Sequence, residues 1–146
     1  MTASQRQPDL SSNPEGRSPL PYTPLALKRA ERAACCAPFQ LLLYTTMRVE
    51  GVSLRAIAGS AGVEHQYTRQ EQSELSAETD LLWLIQVGIL RREVDGQGLT
   101  DSFRLTPLGR QLVQHWETQG RLPAPSVLDL FYNAIARWVR LPGWLH

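Results

Sequence analysis

Leu81-Leu-Trp-Leu-Ile-Gln-Val-Gly88 leads into Ile89-Leu-Arg-Arg-Glu-Val94, then Asp95-Gly-Gln-Gly-Leu-Thr-Asp101, Ser102-Phe-Arg-Leu105 and Thr106-Pro-Leu-Gly-Arg-Gln-Leu112. Leu81, Leu82, Leu84, Ile85 and Val87 predict a broadly apolar, buried helix that begins at Ser76 or Ala77 and ends at Gly88. Ile89–Val94 and Ser102–Leu105 predict two short strands. Alternation turns Phe103 and Leu105 inward and Arg104 outward. The two glycines between the strands suit a hairpin tip. Thr106 caps the next helix, and Pro107 follows in the first turn, where its missing N–H costs nothing. That helix carries Leu108, Leu112, Val113 and Trp116 as a one-sided stripe. Helix, strand, tip, strand, helix is the order found in the wing half of a winged helix-turn-helix. The expected fold class is therefore mainly α with a small β-hairpin: a winged helix-turn-helix with added N- and C-terminal helices.

Upstream, Pro8, Pro14, Pro19 and Pro21, with Ser and Gln between them, predict a disordered tail over residues 1–23. Leu25–Ala34 predicts a helix with a basic side of Lys28, Arg29 and Arg32, either touching phosphate or simply solvated. Pro38 is placed to open the next helix, with Phe39, Leu42, Leu43 and Met47 at helical spacing and Gly51 as its stop. Ser53 caps a further helix that turns Leu54, Ile57 and Ala58 inward. The string Ser53–Val63 reads as the first half of a helix-turn-helix, with Gly62 as its left-handed turn and Val63 returning to the core. The polar run Glu64–Ser73 either extends the recognition helix or forms an inserted loop. Both readings expose His65, Gln66, Tyr67, Thr68, Arg69 and Gln70. Downstream, Gly120 and Leu122-Pro-Ala-Pro125 separate the domain over residues 24–120 from a last segment over 121–146. Ser126 and Asp129 cap its helix, which is expected to bury Val127, Phe131, Ala134, Ile135 and Trp138.

The net charge of +1 on 146 residues supplies no global field that would draw the chain onto nucleic acid. The apolar fraction of 42% is enough for an ordinary core. The two cysteines, Cys35 and Cys36, are adjacent. That spacing fits neither a zinc site nor a disulfide framework, so reduced thiols are expected. The N-terminus lacks a signal-peptide pattern and no apolar run is long enough to span a bilayer, which places the chain in the cytoplasm. No phosphate loop, nucleophile elbow or H-E-x-x-H motif is present. His65, His115 and His146 share no motif with a cysteine or carboxylate. No catalytic residue, metal ligand or cofactor is expected, and no effector pocket is legible.

Double-stranded DNA is the expected partner. Gln66, Arg69, Gln70 and Gln72 are placed to read bases, since amide and guanidinium groups offer paired donors or acceptors. Tyr67 and Thr68 are placed to touch phosphate. Arg91, Arg92 and Arg104 on the wing would hold the backbone, against Glu93, Asp95 and Asp101, which repel it, and with Arg91 set to pair with Glu93. Glu78 and Asp80 suit a helix N-terminus better than a DNA face. The last helix has too much apolar surface for one packed side. Either it dimerises the protein through Phe131, Tyr132, Ile135, Trp138, Val139 and Trp144, or it folds back on its own domain. The alternative to a DNA-binding regulator is a winged-helix module that binds protein and not DNA.

Residues from Val52 to Arg110 resemble a small cyanobacterial family of winged-helix heterocyst-differentiation transcriptional regulators. The resemblance rests on Val-Ser-Leu-Arg-Ala-Ile-Ala, Ala-Gly-Val-Glu-His, Glu-Gln-Ser-Glu-Leu and Leu-Leu-Trp-Leu-Ile. It rests also on Arg-Arg-Glu-Val-Asp-Gly-Gln-Gly with Thr-Asp-Ser-Phe-Arg-Leu-Thr-Pro. It implies a dimeric, cytoplasmic DNA-binding regulator, without identifying base-contacting residues.

Overall fold

A computed structural model describes residues 22–140. The expected N-terminal tail, apart from Tyr22 and Thr23, lies outside the described residues, as does Trp144. Within them the chain is mainly helical, with a small three-stranded antiparallel sheet. No helix among the described residues is long and apolar enough to cross a membrane.

Helix α1 runs Pro24–Cys36, with Thr23 capping it by accepting from the Ala26 N–H at 3.0 Å. Its buried face is Ala30, Ala33 and Ala34, small enough to let α1 lie close to later helices. Helix α2 runs Leu41–Val49. It starts after Gln40, not at Pro38, because Phe39 is taken up by an antiparallel bridge to Thr68. Leu43, Tyr44 and Met47 face inward; Leu42, expected to do so, is exposed.

Strand β1 is Val52–Ser53, too short for alternation to reveal it. It pairs with β3, Val52 opposite Phe103. The helix expected from Ser53 to a turn at Gly62 is instead two short ones: α3, Leu54–Ile57, and α4, Gly59–Glu64. Ser53 caps α3 as expected. Ala58 then takes an extended conformation, and the left-handed residue is Gly59 at φ +66°, not Gly62. Gly62 serves a different need: a Cβ there would fall on the Ile57 carbonyl. Val63 points outward.

Helix α5 spans Glu74–Gln86, beginning earlier than predicted because Ser73 caps it through the Ser76 N–H at 3.0 Å. Strands β2, Leu90–Asp95, and β3, Gly98–Leu105, form the hairpin, and the sheet order is β1-β3-β2. The second strand is twice the predicted length; a register shift between Arg92 and Val94 hid its first half. Thr100 sits at that irregularity, donating its hydroxyl to the Glu93 carbonyl at 3.0 Å. Helix α6, Pro107–Gln119, has the predicted Thr106 cap and buries Leu108, Leu112, Val113 and Trp116. The Trp116 indole donates to Glu31 of α1 at 2.8 Å and meets Tyr44 edge-on at 5.6 Å.

Helix α7 is Val127–Arg140, with the Ser126–Asp129 reciprocal cap in place. It packs against α1, but by its polar side. Asp129 pairs with Arg32 at 3.3 Å, Asn133 accepts from the Trp83 indole at 3.0 Å, and Arg137 meets Asp80 at 3.1 Å. Val127, Phe131, Ala134, Ile135 and Trp138, expected to be buried, face solvent. Three polar contacts to α1 and α5, with Ala136 packed against the core, set which side of α7 is docked.

Candidate interaction surfaces

Two surfaces carry the residues that the sequence singles out: the α5 and β2–β3 face, and the loop between α4 and α5. On α5 the capped start and the inward row Ala77, Leu81 and Leu84 fix which side chains face out. Among those are Leu75, Thr79, Leu82 and Gln86, one stripe at helical spacing, with Glu74 and Ser76 exposed in the first turn. Leu75 is 74% and Leu82 44% exposed. The helix contains no Lys or Arg. Glu74 lies in its first turn, Glu71 just before it, and Glu78 one turn on.

The hairpin arginines are largely committed. Arg92 reaches Glu78 of α5 at 3.6 Å, lies over the Phe103 ring at 5.1 Å and donates to the Thr100 carbonyl at 3.3 Å. Arg104 pairs with Glu93 at 3.3 Å and donates to the Val49 carbonyl at 2.9 Å. Glu93 was expected to pair with Arg91; the register sets Arg91 opposite Arg104, and Arg104 takes the carboxylate. Arg91 is exposed and has no ion-pair partner among the described residues. At the hairpin end Val94 and Leu99 face each other across the strands, both exposed. The Arg92–Glu78 pair sets β2 beside α5, and Leu75 and Leu82 on the helix and Val94 and Leu99 at the hairpin end are all exposed.

Past Glu64, which ends α4, the polar run through Ser73 is a loop, not a helical extension. It is tied down at several points. The Gln40 N–H donates to the Tyr67 carbonyl at 2.8 Å, the Tyr67 N–H to the Gly62 carbonyl at 2.8 Å, and the Gly59 N–H to the Gln72 carbonyl at 2.8 Å. Gln66 turns the chain in the left-handed region at φ 66°. Tyr67 is half-buried beside His65, ring centroids 5.2 Å apart. Thr68, expected to reach phosphate, is only 1% exposed, and its hydroxyl has no hydrogen-bond partner among the described residues. It faces the interior because its backbone completes the bridge to Phe39. The loop presents Gln66, Arg69 and Gln70 to solvent. No sequence signal marks Thr68 as different from these neighbours.

Cys35 and Cys36 line a groove with Arg69, Asp80 and the segment Gly120–Pro125, about 910 Å³ in volume. Burial pushes the Cys35 thiol up to about 12, helped by Cys36, Asp129 and Glu31 nearby. Burial raises Cys36 as well. Both stay protonated near neutrality, and a protonated thiol is a poor nucleophile. Asp129 is held below the ordinary carboxylate range, first by the Ser126 N–H and then by Arg32.

A family model described as Npun_F0494-like matches residues 20–137. The chain belongs to that family. The Npun_F0494-like stretch takes in every element from α1 to most of α7, so the outward-facing helix falls within the family's own unit. No curated protein and no solved structure matches the chain.

Proposed function

We propose that this chain is a winged-helix domain whose helix-and-wing face binds protein and not duplex DNA. The reading of the fold as a winged helix is supported by the element order α2, β1, α3–α4, α5, β2, β3 and by the pairing of β1 with β3. In that arrangement α5 takes the position of the recognition helix and β2–β3 that of the wing. A recognition helix that reads DNA offers Arg, Lys, Asn or Gln near its start. The single observation carrying the proposal is that α5 instead offers Leu75, Thr79 and Leu82, has no basic residue, and begins among Glu71, Glu74 and Glu78. Such a surface repels phosphate and suits an apolar segment of another protein with a basic rim.

The second reading is the DNA-binding regulator. Exposed Arg69 and Gln70 on the loop and Arg91 on the wing favour it, as does the resemblance to heterocyst-differentiation regulators.

Mixed-sequence duplex DNA titrated at low salt separates the two. A wing-held DNA binder has a non-specific Kd of roughly 10⁻⁴–10⁻⁶ M at physiological salt, tighter at low salt and weakening steeply as salt rises. The protein-binding reading expects no saturable signal in that range. It also expects that a partner captured by the wild-type chain is lost by Leu75→Glu with Leu82→Glu and kept by Arg69→Ala with Arg91→Ala. Saturable, salt-sensitive DNA binding abolished by Arg69→Ala with Arg91→Ala overturns it in favour of DNA.

A further inference from the structure

We infer that the outward face of α7 is a two-fold interface with a second copy of this chain. The inference is independent of what the α5 face binds.

The helix is held with its polarity reversed. Asp129, Asn133 and Arg137 lie on the side docked to α1 and α5, each with a partner at 3.0–3.3 Å. Arg32 also lies over the Tyr132 ring at 5.1 Å and Arg137 over Trp83 at 5.7 Å. These contacts fix the rotation of α7 about its axis. The opposite side, centred on Phe131, Ile135 and Trp138, is left to solvent; Phe131 is 56% and Trp138 69% exposed. Phe, Tyr and Trp side chains bury roughly 150–250 Å² each and aliphatic ones less, so the exposed apolar residues of α7, leaving out Leu130 on the Asn133 and Arg137 stripe, present on the order of 800 Å². A standard-size interface takes roughly 800 Å² from each partner, so the face is large enough for one.

The face suits self-pairing. Among the described side chains it carries no charge, and the flanking Asp129 and Arg137 are already paired within the chain. A two-fold axis sets a patch against itself, which a charged patch would oppose. The helix is about 21 Å long at 1.5 Å per residue, so an antiparallel pair with its axis near mid-helix sets Phe131 of each copy beside Ile135 of the other. A lipid surface fits less well. Helices that lie on membranes use a Lys- and Arg-rich polar face, whereas the polar face of α7 is turned into the protein and Arg137 is neutralised by Asp80.

Sedimentation velocity of the full chain tests this. Standard-size interfaces bind between roughly micromolar and picomolar, so a dimer is expected by about 10 µM. Phe131→Glu with Trp138→Glu is expected to yield a monomer of unchanged helical circular dichroism, because both side chains are exposed within one copy. Each such anchor is worth about 30-fold or more in dimer affinity. Leu128→Lys, on the same face, serves as the second variant should the first misfold, with the same expected loss. A wild-type monomer well above that concentration, or a dimer indifferent to the soluble variants, overturns the inference. So does a monomer that co-sediments with anionic phospholipid vesicles, which assigns the face to lipid.

Discussion

Replacing Gly62 with alanine sets two physical arguments against each other, because they predict opposite signs. Gly62 sits inside α4, and helix propensity alone makes alanine better there by about 1 kcal/mol. The neighbours reverse that preference. A Cβ at this position falls on the Ile57 carbonyl oxygen, 2.9 Å from the Ile57 carbonyl carbon and 2.8 Å from the Thr68 hydroxyl. Neither neighbour yields easily: Ile57 is fully buried at the end of α3, and Thr68 is pinned by its bridge to Phe39. Overpacking of this kind costs roughly 1–3 kcal/mol, with backbone as the obstacle placing it at the upper end. Net of propensity, Gly62→Ala is expected to destabilise the chain by about 2 kcal/mol. Urea unfolding followed by circular dichroism reads this as a midpoint lowered by about 1 M at unchanged slope, for a slope of roughly 1–3 kcal/mol/M. Gly59 is the control: it has φ +66° and open space around its Cβ position. Alanine there costs about 1–2 kcal/mol from the left-handed backbone alone. Removing the Thr68 hydroxyl with Thr68→Ala is expected to recover part of the loss at Gly62 and none at Gly59. A Gly62→Ala chain as stable as wild type would refute the close approach of α4 to the end of α3.

Two other perturbations follow from side-chain geometry. Trp116→Phe removes the 2.8 Å hydrogen bond to the Glu31 carboxylate that ties α6 to α1 and is expected to cost about 2 kcal/mol in the same unfolding assay; an unchanged midpoint counts against that tie. Glu117 is held below the ordinary carboxylate range by two hydrogen bonds from Arg48, at 2.6 and 2.8 Å. A carboxylate with a depressed folded value stabilises the chain fully above its unfolded value of about 4.3, and this contribution fades as pH falls through the folded value. The stability gap between wild type and Glu117→Gln is therefore expected to be present at neutral pH and to close under acid; a gap that is constant down to acid pH means that the ion pair is not its source.

What the sequence determined by itself is local chemistry. Thr106-Pro107, Ser53 and the Ser126–Asp129 pair all cap helices as read, because a cap needs only a side-chain oxygen within three residues of an unpaired N–H. The stripe of Leu108, Leu112, Val113 and Trp116 faces inward as read, because a one-sided apolar row has one core to meet. Tertiary structure decided the rest. Strand β1 is two residues long and exists because β3 is beside it. The longer β3 was hidden by a register shift. Gly59 and not Gly62 turns the chain, since only the folded approach of Ile57 shows which glycine needs room and which needs φ. Thr68 lies in a run of exposed polar residues yet is buried by a backbone bridge to Phe39, 29 residues away. The orientation of α7 was hidden most completely. Its amphipathic pattern is plain in the sequence, but the partners of its polar side, Arg32 and Asp80, stand 97 and 57 residues upstream. Periodicity reports that a helix has two faces; which face the rest of the chain takes depends on charges that only folding brings together.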